Sequence, residues 1–306
     1  MCPTNIEHEI VNISRDANGR FLILEVRLNG NTYVLCNIYA PNQEHGYNQD
    51  RQLAFFEEVR NKLEFYKDST ASLIMGGDFN TYLIPTLDKH YSQIESAYAT
   101  KTSFAIELLR VCDEYNLLDC WRTLNPDVRR YTWRQSNPVR QSRIDYWLIT
   151  SPLLNMIDLC DIQPSYKSDH SLITLDLRIG PNAERGPGIW KFNVSLLKDT
   201  KYVEQLNTCI VELKTIYAGL EDKALKWEII KCELRRETIS YCKSESKKRK
   251  ELILSLSKDV TKLEKHLADN PNADIMQEYQ VTKHELDSLI THKAEGAALH
   301  AKANHL

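Results

Sequence analysis

The sequence lacks any apolar run that approaches the roughly 18 residues needed for a membrane-spanning helix. Its amino-terminal segment also lacks the basic region and apolar stretch of a secretory signal. Both absences predict an intracellular chain with no membrane contact, in the nucleus or the cytoplasm, or a fragment of a longer chain. The eight cysteines include no Cys-x-x-Cys pair and no spacing typical of a disulfide framework, so we expect buried, reduced thiols.

The size and composition allow a substantial core. A chain of 306 residues that is 42% hydrophobic can form one large domain or two ordinary ones. The formal net charge of −3 argues neither for nor against a nucleic-acid partner. The reason is that metal-dependent sites acting on phosphodiesters are themselves rich in carboxylates.

The first part of the chain alternates between strand and helix patterns. Asn29-Gly30 favours a tight primed turn, which predicts a hairpin of residues 21–28 and 32–38. Helical spacing predicts a helix over residues 50–66, and Thr102 is placed to cap a second one. Further strands are predicted at residues 72–75, 131–133, 144–149, 156–162 and 172–178. These elements indicate a layered α/β sandwich of mostly antiparallel sheet.

The sequence pattern changes near residue 180, from mixed strands and helices to helices alone. Pro and Gly residues predict a linker over residues 180–194, between a first domain at residues 1–179 and an all-α helical connector at residues 195–306. Two heptad-like apolar stripes flank the break at Asp269-Asn270-Pro271-Asn272. They predict an antiparallel helix hairpin at about residues 245–293, packed like a coiled coil. Five basic residues precede it, which are either a phosphate-contacting patch or a solvated helix face: Lys243, Lys247, Lys248, Arg249 and Lys250.

Polar residues that could perform phosphodiester chemistry follow apolar strands. Asp78 could take a proton from water, and Asn80, in the same turn, could donate its amide to a phosphate. Asp145 could orient the ring of His170 and stabilise its protonated form, which would donate to a phosphate oxygen. Asp169 could hold a divalent cation, most plausibly magnesium because the ligands are oxygens. Tyr39 could add a hydroxyl donor.

Each residue also has a purely structural interpretation. Gly-Asp-x-Asn is often only a turn, because Asp and Asn satisfy loop backbone groups. Asp145 could form a salt bridge with Arg143, and Asp169 with His170 could cap the next strand. Tyr39 could be an aromatic residue at the rim of a cleft. The combination of these residues indicates phosphodiester chemistry more specifically than any one of them does.

Five motifs follow one another along the chain: Asn37-Ile38-Tyr39-Ala40-Pro41-Asn42, Gly77-Asp78-Phe79-Asn80, Tyr131-Thr132-Trp133, Ser142-Arg143-Ile144-Asp145-Tyr146 and Ser168-Asp169-His170-Ser171. Their order resembles the endonuclease/exonuclease/phosphatase superfamily, in particular the apurinic-like endonuclease of non-LTR (LINE-type) retrotransposon polyproteins. Trp190-Lys191-Phe192-Asn193 and the lysine-rich helical tail are similar to the segment between endonuclease and reverse transcriptase in such polyproteins. No Tyr-x-Asp-Asp sequence is present, so reverse transcription is not expected.

The resemblance implies a strand-nicking DNA endonuclease that uses Mg²⁺ or Mn²⁺ and leaves a 3′ hydroxyl that primes reverse transcription. It assigns phosphate contact to Tyr39, water activation to Asp78, transition-state stabilisation to Asn80, and a pair to Asp145 and His170. It places Asp169 at the metal. Arg143 is expected to contact the DNA backbone.

Two motifs of that family are missing from this sequence. These are the strand carrying an Asn and the later strand ending in a metal-ligating Glu, so we expect an incomplete four-layer sandwich that lacks its first strands. Gln43-Glu44 follows the Tyr39 strand instead of preceding it, and we interpret Glu44 as a loop residue. The expected consequence is a poor nuclease or none.

Two other functions stay open. The chain could be a catalytically dead remnant whose helical tail binds a protein partner or RNA, or associates with itself. It could also be a phosphatase or lipid-directed member of the same superfamily, which the retrotransposon-like tail makes the weaker alternative.

Overall fold

The computed structural model describes residues 8–42, 49–67, 69–90, 102–136, 139–165, 167–180 and 192–303. The chain forms two compact units, one drawn from residues 1–183 and 256–306 and the other from residues 184–255. The first unit therefore includes the end of the stretch that the sequence predicted as a separate connector. Most of the predicted linker, with Trp190, lies outside the described residues, as does Glu44.

Six strands form the main sheet of the first unit, in the order β1-β2-β3-β4-β8-β5. Strands β3 and β4 are parallel, and their other neighbours are antiparallel. Two pairs, β9 with β10 and β6 with β7, form small sheets. The strands are β1 His8–Arg15, β2 Phe21–Leu28, β3 Asn31–Tyr39, β4 Ser72–Asp78, β5 Leu117–Asp119, β6 Trp133–Ser136, β7 Val139–Ser142, β8 Asp145–Thr150, β9 Ile157–Gln163 and β10 Leu172–Leu177.

The described helices surround this sheet or follow it in the chain. Helix α1 ends in a short 3₁₀ turn, Glu64–Tyr66, and another 3₁₀ turn, Val194–Lys198, precedes α5. No described helix has both the length and the hydropathy that crossing a bilayer requires. The helices are α1 Gln49–Leu63, α2 Pro85–Asp88, α3 Ser103–Glu114, α4 Cys120–Leu124, α5 Thr200–Ile216, α6 Lys223–Asp269 and α7 Ala273–Ala303.

The hairpin of β2 and β3 confirms the turn prediction. Asn29 and Gly30 both have positive φ, at 49° and 79°, as a primed turn requires. Strand β1, which pairs with β2, was not predicted. Its side chains are almost all exposed, so its sequence carries no alternating apolar signal.

Both faces of the main sheet are covered by apolar side chains. On one face, Val34 and Met75 pack with the buried side of α1 and with Leu108 of α3. On the other face, Ile74 and Ile149 pack with β9 and β10. Helices, large sheet and small sheet thus form successive layers, which confirms the predicted mixed α/β class and its helical carboxy-terminal region.

Local capping signals also agree with the structure. The backbone N–H of Ala105 donates to Thr102 Oγ1 at 3.2 Å, as predicted for the start of α3. Helix α6 ends and α7 begins on either side of the predicted break at Asn270-Pro271-Asn272. The stripe positions Val260, Leu267 and Leu286 are fully buried.

The described cysteines are free thiols, and Cys36, Cys112 and Cys120 are buried as expected. The expectation of burial is wrong for Cys232, which is exposed.

The second unit has its own small core between α5 and the first part of α6. Asp199 caps α5 by accepting from the backbone N–H groups of Lys201 and Tyr202, and its other oxygen accepts from Tyr241 Oη at 2.6 Å. Tyr202 Oη lies 2.8 Å from Thr238 Oγ1.

Gly77 is required by the close approach of β3 and β4. Its φ is 138°, and a Cβ there would lie 2.0 Å from the carbonyl oxygen of Ile38. We therefore expect Gly77→Ala to lower the free energy of unfolding by about 3 kcal/mol or more, measured by urea unfolding. Gly219→Ala is the control, because no atom lies within 4 Å of its Cβ position. Equal losses in the two variants would contradict this explanation.

Candidate active site

The sheet register places three polar residues in one row at the same edge. Tyr39 at the end of β3 lies opposite Asp78, and Asp78 lies opposite Asp145 at the start of β8. The carbonyl oxygen of Arg20, just before β2, accepts from the Tyr39 N–H at 2.7 Å. Cross-strand partners share a face, so these side chains project on the side of the sheet that packs on β9 and β10.

The turn after β4 holds Asp78 at this edge. Phe79 is fully buried and packs against the ring of Tyr146 at 5.6 Å between centroids. Asn80 has a φ of 48°, its N–H donates to Asp78 Oδ1 at 2.8 Å, and its Nδ2 donates to the Ala40 carbonyl at 2.7 Å. Gly-Asp-x-Asn therefore forms a turn, as its structural interpretation predicted. The same turn directs Asp78 toward Asp145.

His170 reaches the row from the loop before β10. Its Nδ1 lies 3.0 Å from Asp145 Oδ2 and 3.2 Å from Oδ1. The hydrogen bond that the His170 ring donates to the Asp145 carboxylate raises the pKa of His170, which favours the protonated ring. Asp145 is itself fixed by Thr132, whose Oγ1 accepts from the Asp145 N–H at 3.1 Å.

Burial raises the pKa of Asp78 to about 6, and the neighbouring Asp145 adds to this effect. Ligand atoms of Asp78, Asp145 and His170 lie within 4.8 Å of one another. This is the one such group in the part of the chain that the structure describes. Two converging carboxylates suit a hard divalent cation, because bound positive charge would relieve their repulsion.

Asp169, the predicted metal ligand, is exposed, and its Oδ2 accepts from Trp133 Nε1 at 3.0 Å. It is not in the group of three, but its charge helps to raise the pKa values of both Asp78 and His170. Asp169 therefore lies near the site, and its metal role stays a prediction.

Tyr39 lies at the open end of the row, with 54% of its surface exposed. The guanidinium of Arg20 stacks over its ring, 5.0 Å from the centroid. Sequence reasoning missed Arg20, although its position directly before the strand that pairs with β3 was a usable signal. Arg20 and Tyr39 offer a cation and a hydroxyl beside the carboxylates.

The prediction that Arg143 contacts DNA is wrong. Its side chain is 1% exposed, with Nε 2.8 Å from Asp88 Oδ1 and Nη2 2.6 Å from Asp119 Oδ2. The alternative ion pair with Asp145 is not formed either, because Arg143 points into the interior. Its role is structural: it neutralises two carboxylates and connects α2, β5 and β8.

Residues 6–170 match the Endonuclease/Exonuclease/phosphatase family. The chain belongs to this family. It is also 28% identical, over 300 residues, to the transposon TX1 uncharacterized 149 kDa protein of Xenopus laevis. That alignment covers 97% of this chain and 22% of the relative, so the chain spans about a fifth of that protein's length.

Several solved structures resemble part of the fold. An AP endonuclease from Leishmania major is 19% identical with a TM-score of 0.46, covering 54% of this chain and 56% of its own. An AP endonuclease from Archaeoglobus fulgidus is 18% identical with a TM-score of 0.45, and the match covers 57% of this chain and 72% of that protein. The 3′ phosphatase NExo from Neisseria, bound to a product DNA hairpin, is 17% identical with a TM-score of 0.42, covering 58% and 72%.

The buried position of Arg143 predicts a loss of stability. Arg143→Ala leaves Asp88 and Asp119 without this partner, and we expect it to lower the free energy of unfolding by about 3–5 kcal/mol in urea titrations. Arg110→Ala, on the exposed side of α3, is the control and should change it by less than about 0.5 kcal/mol. A stable Arg143→Ala protein with weakened DNA binding would restore the original prediction.

The pKa of Asp78 predicts a pH-dependent stability. Its value of about 6 in the folded protein exceeds the ordinary 3.8, so folding favours the protonated form. That contribution to stability is present below about pH 4 and is lost as the pH rises through about 6. Asp78→Asn should therefore stabilise the metal-free protein at pH 8, by about 1–2 kcal/mol, and little at pH 4.

Urea unfolding at pH 4, 6 and 8 in a chelator measures this effect, with the exposed Asp127→Asn as control. A gain in stability that is the same at all three pH values would contradict the assignment.

Proposed function

We propose that the protein is a metal-dependent DNA endonuclease that nicks one strand of a duplex. The observation that carries this proposal is the convergence of Asp78, Asp145 and His170 at one edge of the sheet, next to Tyr39 and Arg20. A base, a protonated donor and groups that bind phosphate are the parts that phosphodiester hydrolysis needs.

The donor set fits magnesium or manganese. Asp169 is the metal ligand predicted from the sequence. The carboxylate oxygens of Asp78 and Asp145, which lie close together, would be further ligands. Magnesium commonly uses one or two carboxylates and completes its shell with water and phosphate oxygens. When bound, the cation would supply positive charge that neutralises a phosphate oxygen.

Two groups with raised pKa values, Asp78 and His170, would transfer the protons in this reaction. Above pH 6, Asp78 is ionised and can accept a proton from the attacking water. The hydrogen bond to Asp145 raises the pKa of His170 and so favours the protonated ring, which can donate to a phosphate oxygen. Asn80 uses an amide hydrogen on the Ala40 carbonyl, which leaves its second N–H hydrogen for the phosphate.

Arg20 and Tyr39 would hold a backbone phosphate at the entrance of the site. Arg20 replaces Arg143 as the proposed phosphate contact, because its guanidinium lies at the partly open end of the row. Its charge would bind any DNA sequence, since phosphate contacts carry no base information.

The similarity to the transposon TX1 protein supports a role in retrotransposition. In that role the nick would be made in chromosomal DNA, in the nucleus, and its 3′ hydroxyl would prime reverse transcription by another part of the polyprotein. Binding of RNA, or self-association, through the lysine-rich part of α6 is a further proposal. It is based on the exposed side chains of Lys247 and Lys248.

Nicking of supercoiled plasmid in the presence of magnesium tests the function, and the two missing family motifs predict that the wild-type chain nicks slowly. We expect His170→Ala to lower the rate at least about 100-fold, because it removes the proton donor. The control is His266→Ala, whose side chain is exposed on α6. Absence of magnesium-dependent nicking by the wild-type chain, or equal rates for the two variants, would contradict the proposal and favour the non-catalytic remnant.

A further inference from the structure

The loop that carries His170 is held by residues distant in the sequence. Ser168 Oγ accepts from the His170 N–H at 3.0 Å, and Lys167 has a positive φ of 48°. Such a backbone conformation persists only where surrounding contacts enforce it. Two of the hydrogen bonds to this loop come from helix α7, which belongs to the same compact unit.

Helix α7 makes two hydrogen bonds to this loop. Lys283 Nζ donates to the carbonyl oxygen of Ser168, and the Lys167 N–H donates to Asp287 Oδ2 at 3.2 Å. Lys283 and Asp287 lie one helical turn apart, and Lys283 Nζ is 3.9 Å from Asp287 Oδ2. Their side chains are only 13% and 15% exposed. A largely desolvated pair that bonds to backbone groups fixes their position more strongly than a surface pair would.

The end of α6 holds the other side of the loop through Arg134. Glu264 is 1% exposed, and its Oε1 lies 3.3 Å from Arg134 Nη1. The same nitrogen donates to Ser171 Oγ at 2.9 Å, and the Arg134 N–H donates to the Asp169 carbonyl at 3.2 Å. His170 therefore sits between two residues that Arg134 contacts directly.

We infer that the helices after residue 255 are part of the catalytic unit, and that Lys283 and Asp287 are positioning residues for His170. They act through the backbone of Lys167 and Ser168, which sets where the imidazole meets Asp145. The inference rests on the proposed function for its catalytic meaning. The structural part, the clamping of this loop by α7, does not depend on it.

Two variants remove the clamp. Lys283→Met keeps the aliphatic stem and removes the charge, while Asp287→Ala removes the acceptor. Asp287→Asn keeps an acceptor oxygen and should rescue the Ala variant. The matched controls are Lys265→Met on α6 and Glu285→Ala on α7, both exposed.

Hydrogen exchange of the backbone amides of residues 167–170, measured by NMR on the full chain, is the first measurement. We expect exchange about tenfold faster in Lys283→Met and in Asp287→Ala, near-normal exchange in Asp287→Asn, and no change in the controls. Unchanged exchange in both Lys283→Met and Asp287→Ala would overturn the inference. If Asp287→Ala fails to fold, the result for Lys283→Met decides.

Plasmid nicking is the second measurement. A misplaced His170 should lower kcat about tenfold with little change in KM, and Asp287→Asn should restore it. A wild-type chain that does not nick DNA refutes the proposed function, while the exchange data still test the clamp. Faster exchange with an unchanged kcat in an active enzyme would refute the positioning role.

Discussion

The arrangement of the site depends on the register of β4 between β3 and β8. That register places Asp78 next to Tyr39 on one side and Asp145 on the other. A shift of one residue would turn the side chain of Asp78 to the opposite face, because side chains alternate along a strand. Gly77 makes the register possible, since any side chain there would collide with the backbone of β3.

The carboxylates of the first unit occur in two different electrostatic environments. Asp88 and Asp119 are neutralised by the buried Arg143, so they serve stability. Asp78 and Asp145 lie together without an arginine in contact among the described residues, and burial together with the charge of Asp145 raises the pKa of Asp78. Carboxylates left in this state are typical of a site that binds a cation or moves a proton.

Much of the first unit could be predicted because its signals are local. The Asn29-Gly30 turn and the Thr102 cap depend on neighbouring residues, and both are found where expected. Arg143 was misjudged because a charged residue in a sequence motif does not reveal whether its partners are water or buried carboxylates. Lys283 was missed because its contact with Ser168 spans 115 positions, with no periodicity to indicate it.

The sequence by itself determined the family, the longer strands and helices of the first unit other than β1, and the residues from which a phosphodiesterase site could be made. Only the tertiary structure decided which of them meet: Asp78, Asp145 and His170 converge, Asp169 bonds to Trp133, and Arg143 is interior. Local patterns fix backbone conformation through steric and hydrogen-bond preferences of neighbouring residues. Burial and cross-strand register arise from contacts between distant segments, and these set the electrostatics of the site.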